Sequence, residues 1–282
     1  MRKSKTIAGT IGVILTAWLL AGCGQQDAGE TAAPAAMPPA IQSDAPAAIA
    51  QAIASTERLA GDADEDARRH PQEVLEFLGV EPGMRVLDFL AGGGYYTELL
   101  SRVVGPDGTV IAYNNNLYTK FFGPKLDERL SGGRLANVRP LVAEPNDLAL
   151  EPGELDAALL VMSYHDLYHR PGEGEVAADI PQVVARLFEA LKGGGTLVVQ
   201  DHVAAPGSDV VTAADTLHRI DPETVKRDFT AAGFVFEDDS ALFANPGDDH
   251  SKGVFDESIR GQTDRFMLRF RKPVPVDAPR AE

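Results

Sequence analysis

Two groups of residues have the types and spacing to do chemistry. The first is the run Val86-Leu87-Asp88-Phe89-Leu90-Ala91-Gly92-Gly93-Gly94-Tyr95-Tyr96-Thr97, an apolar segment ending in an acid, then a glycine turn, then a helix start. Glycines in such a turn let the backbone approach a ligand closely and aim its N–H groups at it. The segment therefore reads as a nucleotide-cofactor loop. The second group is His165 with Asp166, His169, Asp201 with His202, and His218. Imidazole titrates near neutral pH and suits proton transfer. Imidazole with carboxylate also suits zinc, iron or manganese. No HExxH motif is present, and His165 and His169 fall in an apparent loop that contains Pro171, so no metal site is expected. Ser163 and Ser208 lie outside any Gly-x-Ser-x-Gly elbow, which argues against a hydrolase. The glycine turn also lacks the Lys-Ser/Thr of a phosphate loop.

The elements that must position these residues follow from hydrophobic pattern. Apolar runs predict strands over 84–89, 109–113, 138–142, 155–162, 196–200, 234–237 and 265–270. Helices are expected over 49–59, 71–78, 95–104, 176–191 and 223–232, with Pro71 and Pro222 suited to a first helical turn and Gly233 to a stop. The last strand alternates apolar with charged residues, as a strand near a sheet edge does. Buried strands alternating with amphipathic helices predict a doubly wound, mostly parallel α/β sheet covered on both faces. Ligands of such sheets lie outside the carboxyl ends of the strands. That edge should carry the glycine turn, His165, His169 and His202, with His218 on a helix capping the same face.

The ends read differently from the domain between them. Residues 1–22 carry Arg2, Lys3 and Lys5 and then an apolar run too short to span a bilayer, the pattern of a secretion signal. Leu20-Ala21-Gly22-Cys23 resembles the lipobox of bacterial lipoproteins, which implies export and lipidation at Cys23, the only cysteine. The chain would then be held in the cell envelope by that anchor, facing the periplasm from the outer membrane in a Gram-negative cell. Residues 23–48 are rich in Ala and Pro and read as a disordered tether, 49–274 as one domain, and 275–282 as a tail. The formal charge of −16 argues against a nucleic-acid partner. Acidic knots such as Asp62-Ala63-Asp64-Glu65-Asp66 read as solubilising surface.

The strand and glycine loop at 84–97, the strand ending Ile111-Ala112-Tyr113-Asn114, the segment Ala143–Leu148, the strand 155–162 and Ala190–Val199 together resemble a class I, Rossmann-like S-adenosylmethionine-dependent methyltransferase. Ala91–Glu98, Asp201-His202, Leu217–Asp221, Ala231–Phe234 and Thr263–Phe266 resemble, more narrowly, a group of exported predicted methyltransferases. The resemblance implies a seven-stranded sheet, S-adenosylmethionine as cofactor and a small-molecule or envelope acceptor. It places Asp88 at the amino-acid end of the cofactor, Ala91, Gly92 and Gly94 along its path, Asn114 at the ribose, and Glu144 and Asp147 at the adenine. His165 would be base or orienter, with Tyr164 and Tyr168 lining the acceptor site and His202 beside it. His165 hydrogen-bonding only loop backbone is the competing reading. Arg219 and Lys252 read either as attracting an anionic substrate or as solvated surface. Leu90 departs from the family pattern, which has glycine there, and Asn114 replaces an acid. These departures leave open an alternative: a methyltransferase-like fold reused as a small-ligand-binding lipoprotein.

Overall fold

The computed structural model describes residues 44–172 and 176–274. The signal, Cys23, most of the tether and the tail lie outside the described residues. In chain order the elements are α1 (Ala45–Ala54), α2 (Asp62–Arg69), α3 (Pro71–Leu78), β1 (Arg85–Phe89), α4 (Tyr95–Val104), β2 (Thr109–Asn114), α5 (Asn116–Leu130), β3 (Val138–Val142), β4 (Leu155–Val161), α6 (Ile180–Ala190), β5 (Leu191–His202), α7 (Val210–Leu217), α8 (Pro222–Ala231), β6 (Val235–Ser240) and β7 (Arg265–Arg271). The seven strands form one sheet in the order β3-β2-β1-β4-β5-β7-β6. Only the pairings of β7 are antiparallel.

Side chains alternate across the central strands and so divide the core in two. Leu87, Phe89, Leu160, Leu197 and Val199 pack with Val183 and Leu187 of α6 and Val225 and Phe229 of α8. Val86, Val110, Leu159 and Val198 pack instead with Ile49, Val74, Leu75, Leu99 and Val103 from α1, α3 and α4. Both faces are covered, which is why these strands read as continuous apolar runs rather than as alternating ones. Met267 is buried beside Leu268 for the same reason: β7 lies inside the sheet, and β6 forms the edge.

Asp179, Asp209 and Asp221 cap α6, α7 and α8, their side-chain oxygens accepting from Gln182 N (3.1 Å), Thr212 N (2.9 Å) and Glu223 N (3.0 Å). The cap at Asp179 and Pro181 in the first turn start α6 at Ile180, later than the expected 176. α1 begins at Ala45, inside the segment expected to be tether. β5 extends back through Lys192–Gly195, between the expected helix and strand, with an irregularity in its pairing to β4. Two helices are not anticipated in the residues: α2, whose charge masks the buried pairing of Asp62, and α5, interrupted by Gly123-Pro124; α7 is the helix expected to carry His218, which stands at its C-terminal cap. No helix among the described residues is long and apolar enough to cross a membrane.

Candidate active site

Parallel pairing brings the carboxyl ends of β1, β4 and β5 side by side. The chain leaves β1 through Leu90 at φ 50° and β4 through Met162 at φ 53°, and α7 ends on His218 at φ 53°. A non-glycine residue in this left-handed region costs about 1–2 kcal/mol, and such residues collect where surrounding structure fixes a functional geometry. All three border the same cleft.

The glycine loop is gripped from behind. Gly92 N donates to Asn114 Oδ1 at 2.9 Å, and Asn114 Nδ2 donates back to Gly92 O at 3.0 Å. Ala91 N donates to Tyr113 O, and Arg129 Nε donates to Gly93 O at 2.8 Å. A Cβ on Gly94 would lie 2.8 Å from Leu126, so close packing against α5 requires glycine there. At Gly92, by contrast, the nearest atom to an added Cβ is 3.7 Å away on Phe122, and the space in front belongs to the cleft. Asp88 is buried at the end of β1, its Oδ2 accepting from Thr97 Oγ1 at 2.5 Å. Burial lifts its carboxyl to about 6, against the pull of the Thr97 hydrogen bond.

The cleft has two chambers. One, about 290 Å³, is lined by Asp88, Ala91, Gly92, Gly93, Arg69 and Lys125. The other, about 720 Å³, runs past Asn115, Asn116, Glu144 and Asp147 to Asp166 and His218. Leu90 and Tyr118 line both and stand between them. Volumes of this order suit small ligands. A larger cavity of about 1040 Å³ lies where β2 begins, walled by Arg102 and Arg134. Both arginines are already ion-paired to Glu98.

Behind the Asp166 wall of the larger chamber, the turn after β4 sets buried His165 over the end of β5. His165 Nδ1 lies 2.8 Å from Asp201 Oδ1, its backbone N donates to Asp201 Oδ2 (3.0 Å), and Nε2 lies 3.3 Å from Asp166 Oδ1. Burial would lower its pKa, but the two carboxylates reverse that and raise it to about 10. Asp166 is held far below the usual carboxylate range: burial opposes this, and His165, His218 and Tyr118 impose it. The Tyr118 hydroxyl reaches Asp166 Oδ2 from α5, across the cleft. His218 Nδ1 lies 3.8 Å from Asp166 Oδ1.

The structure corrects several expected roles. With Nδ1 on Asp201 and Nε2 beside Asp166, His165 holds its ring proton too tightly to serve as a ready base. Tyr164 is fully buried, donates to Asp228 Oδ2 (3.0 Å) and packs on Phe229, so it belongs to the core and not to an acceptor site. Tyr168 shares Asp228. His202 turns toward β7, with Nδ1 2.8 Å from Thr263 Oγ1, and burial lowers its pKa to about 3, which Asp201 only partly offsets. Asn114 spends both amide groups on Gly92, and the polar side chains at the cleft beside the end of β2 are those of Asn115 and Asn116. Arg219 is neither solvated nor open to an anion: it is buried and bidentate to Asp248 (2.8 and 3.1 Å). Asp62 is likewise buried against Arg129.

Glu144 and Asp147 do line the cleft, Glu144 accepting from Asn116 Nδ2 at 2.6 Å. His218 lines it too, as expected for a residue capping that face. Arg129 and Tyr118 were missed because both lie on the unanticipated α5. Their aromatic and basic types gave no signal without the helix.

A model of the protein-L-isoaspartate(D-aspartate) O-methyltransferase family matches residues 65–120, the stretch from α2 through the glycine loop to the start of α5. The ubiquinone/menaquinone biosynthesis C-methyltransferase UbiE of Pseudomonas paraeruginosa is 27% identical over 141 residues, covering 50% of each chain. The chain thus spans about half the length of the curated relatives it matches. Among solved structures, a SAM-dependent methyltransferase from Aquifex aeolicus superposes with a TM-score of 0.54 at 18% identity, covering 80% of this chain and 97% of that one. The [4+2]-cyclase SpnF gives 0.53 at 18%, covering 74% and 82%. The fold is the Rossmann-like methyltransferase fold. That SpnF carries it as a cyclase leaves the reaction to be argued from the site.

Proposed function

We propose that this chain binds S-adenosylmethionine in the two-chambered cleft and transfers its methyl group to a small-molecule or envelope acceptor. The observation that carries the reading is the order of groups along the cleft. The smaller chamber offers Asp88, an open glycine backbone at Gly92 and the cations Arg69 and Lys125, a set that matches an amino acid's ammonium and carboxylate. The larger offers Asn115, Asn116, Glu144 and Asp147, acceptors and donors suited to ribose hydroxyls and an adenine amino group. When bound, the cofactor supplies an electrophilic methyl group on a sulfonium centre. Gly92 leaves room for close approach, and Asp88 would face the ammonium once ionised. Tyr118 and Leu90, at the junction of the chambers, would flank the middle of the ligand and exclude water there. An acceptor entering from the larger chamber meets Asp166 and His218, with His165 buried behind Asp166.

Isothermal titration of the full chain with S-adenosylmethionine and S-adenosylhomocysteine tests the reading. Heat with both is expected, and none at millimolar ligand would sink it. For location, we infer from the signal-like leader that Cys23 anchors the domain at the envelope. Membrane fractions holding the wild type but losing Cys23→Ala to the soluble phase would support this; equal partitioning of the two would refute it.

A further inference from the structure

We infer that His165, Asp166 and His218 form a binding site for one divalent first-row transition ion, with its open side facing the larger chamber. Their nearest ligand atoms, His165 Nε2, Asp166 Oδ1 and His218 Nδ1, lie 3.3 and 3.8 Å apart along the chain of contacts, and one ligand atom from each residue falls within 4.8 Å of the others. Metal bonds of roughly 2.0–2.2 Å to imidazole and carboxylate imply neighbouring ligand atoms about 3–3.5 Å apart. The cluster is therefore close to that geometry before any ion enters. Two imidazoles and one carboxylate form a facial set that leaves other positions open.

Each of the three is also held by a supporting group, as metal ligands are. Asp201 binds both the ring Nδ1 and the backbone N of His165, which directs Nε2 at the cluster. The Tyr118 hydroxyl occupies Asp166 Oδ2 and leaves Oδ1 toward the histidines. His218 is fixed by its left-handed backbone, by ring contact with Phe255 (centroids 4.9 Å apart), and by its neighbour Arg219, locked onto Asp248. A purely structural ion pair between His165 and Asp201 would not require His218 to turn toward Asp166 from a strained cap. The cation site stands apart from methyl transfer; the assignment of its open side to an oxygen donor of the acceptor rests on the methyltransferase reading.

The test uses purified full-length protein stripped with a chelator and titrated with Co²⁺, read by visible d–d absorption and by metal content after gel filtration. One cobalt per chain is expected. His218→Asn, which keeps a residue tolerant of the left-handed conformation, and Asp166→Asn should each weaken binding at least ten-fold. Asp201→Asn should weaken it by about 10–100-fold through the lost support. His70→Asn, remote from the cluster, should bind as wild type. Wild type that retains no cobalt overturns the proposal, as does undiminished binding in both His218→Asn and Asp166→Asn. Acetohydroxamate, an oxygen chelator, should shift the cobalt bands, and unchanged bands would remove the open side. Cobalt binding without heat from S-adenosylmethionine would uphold the ion site and defeat the methyl-transfer reading; the reverse pattern would do the opposite.

Discussion

Leu90 and Asp88 show how single residues set the terms of this cleft. Leu90 occupies a left-handed position that glycine would take without strain, yet its side chain is buried between the two chambers. Relief of the backbone cost would return about 1–2 kcal/mol, whereas loss of a buried leucine side chain costs about 2–5 kcal/mol. Leu90→Gly should therefore destabilise the fold, by up to about 4 kcal/mol in urea unfolding; a gain in stability would show that strain dominates. Asp88 makes a prediction with pH. Its folded pKa of about 6 exceeds the ordinary 3.8, so the folded state holds its proton more tightly. The resulting stability is complete below about pH 4 and is lost as pH rises through 6, roughly 3 kcal/mol at about 1.36 kcal/mol per pKa unit. Wild type compared with Asp88→Asn across pH 4–8 should show that difference growing with pH, and parallel curves would contradict it. Cofactor affinity should move the opposite way, rising through pH 6 as the carboxylate forms, and this rise should vanish in Asp88→Asn. Asp88 and the glycines were legible because an acid ending an apolar run before a glycine turn is a local pattern. Asn114's commitment to Gly92 was not, since it depends on two strands meeting.

At the level of elements, α5 decides the shape of the site. It brings Tyr118 over the cleft, Phe122 and Leu126 against the glycines, and Arg129 into the interior. Arg129 is fully buried and donates to Asp62 (2.6 Å), Glu98 (2.5 Å) and Gly93 O, tying α2, α4 and the glycine loop to one side chain. Removing Arg129 leaves buried Asp62 without its counter-charge, while Glu98 keeps Arg102 and Arg134; breaking a buried pair in this way costs about 3–5 kcal/mol. Arg129→Met should lower stability by that amount and loosen the loop, seen as faster amide exchange at Gly92–Gly94. A loss under 1 kcal/mol would mean that Arg102 and Arg134, already on Glu98, take over. The same helix was invisible in the sequence, since Gly123-Pro124 interrupts its pattern and its polar and apolar residues mark no clear face. α2 reads as solubilising acid for a related reason: Asp62 pairs with Arg129, and Asp66 with Arg58 and the Tyr95 hydroxyl, contacts that only the folded chain makes.

For the molecule as a whole, the succession of strands along the chain was legible because most strands are short apolar runs, several of them separated by amphipathic helices. The functional edge was legible only as a location, since its geometry depends on pairings of β4 with β5 and on α7 turning His218 inward. That edge draws on several strands: the glycine loop after β1 and the end of β4 line one chamber, and the segments after β2, β3 and β4 with His218 at the end of α7 line the other. A ligand spanning both chambers must therefore stabilise the entire domain rather than one lobe. Binding to the native state alone at one hundred times Kd adds about 2.7 kcal/mol, and a domain of this size shifts its Tm by about 2–4 °C per kcal/mol. S-adenosylmethionine should thus raise the unfolding midpoint by roughly 5–11 °C at that concentration, in a single transition. Adenosine, which lacks the amino-acid end, fills only the larger chamber and should give a smaller rise, because Asp88, Arg69 and Lys125 stay unengaged. Equal shifts from the two ligands would place binding entirely in the larger chamber and leave the glycine loop a structural turn behind Leu90.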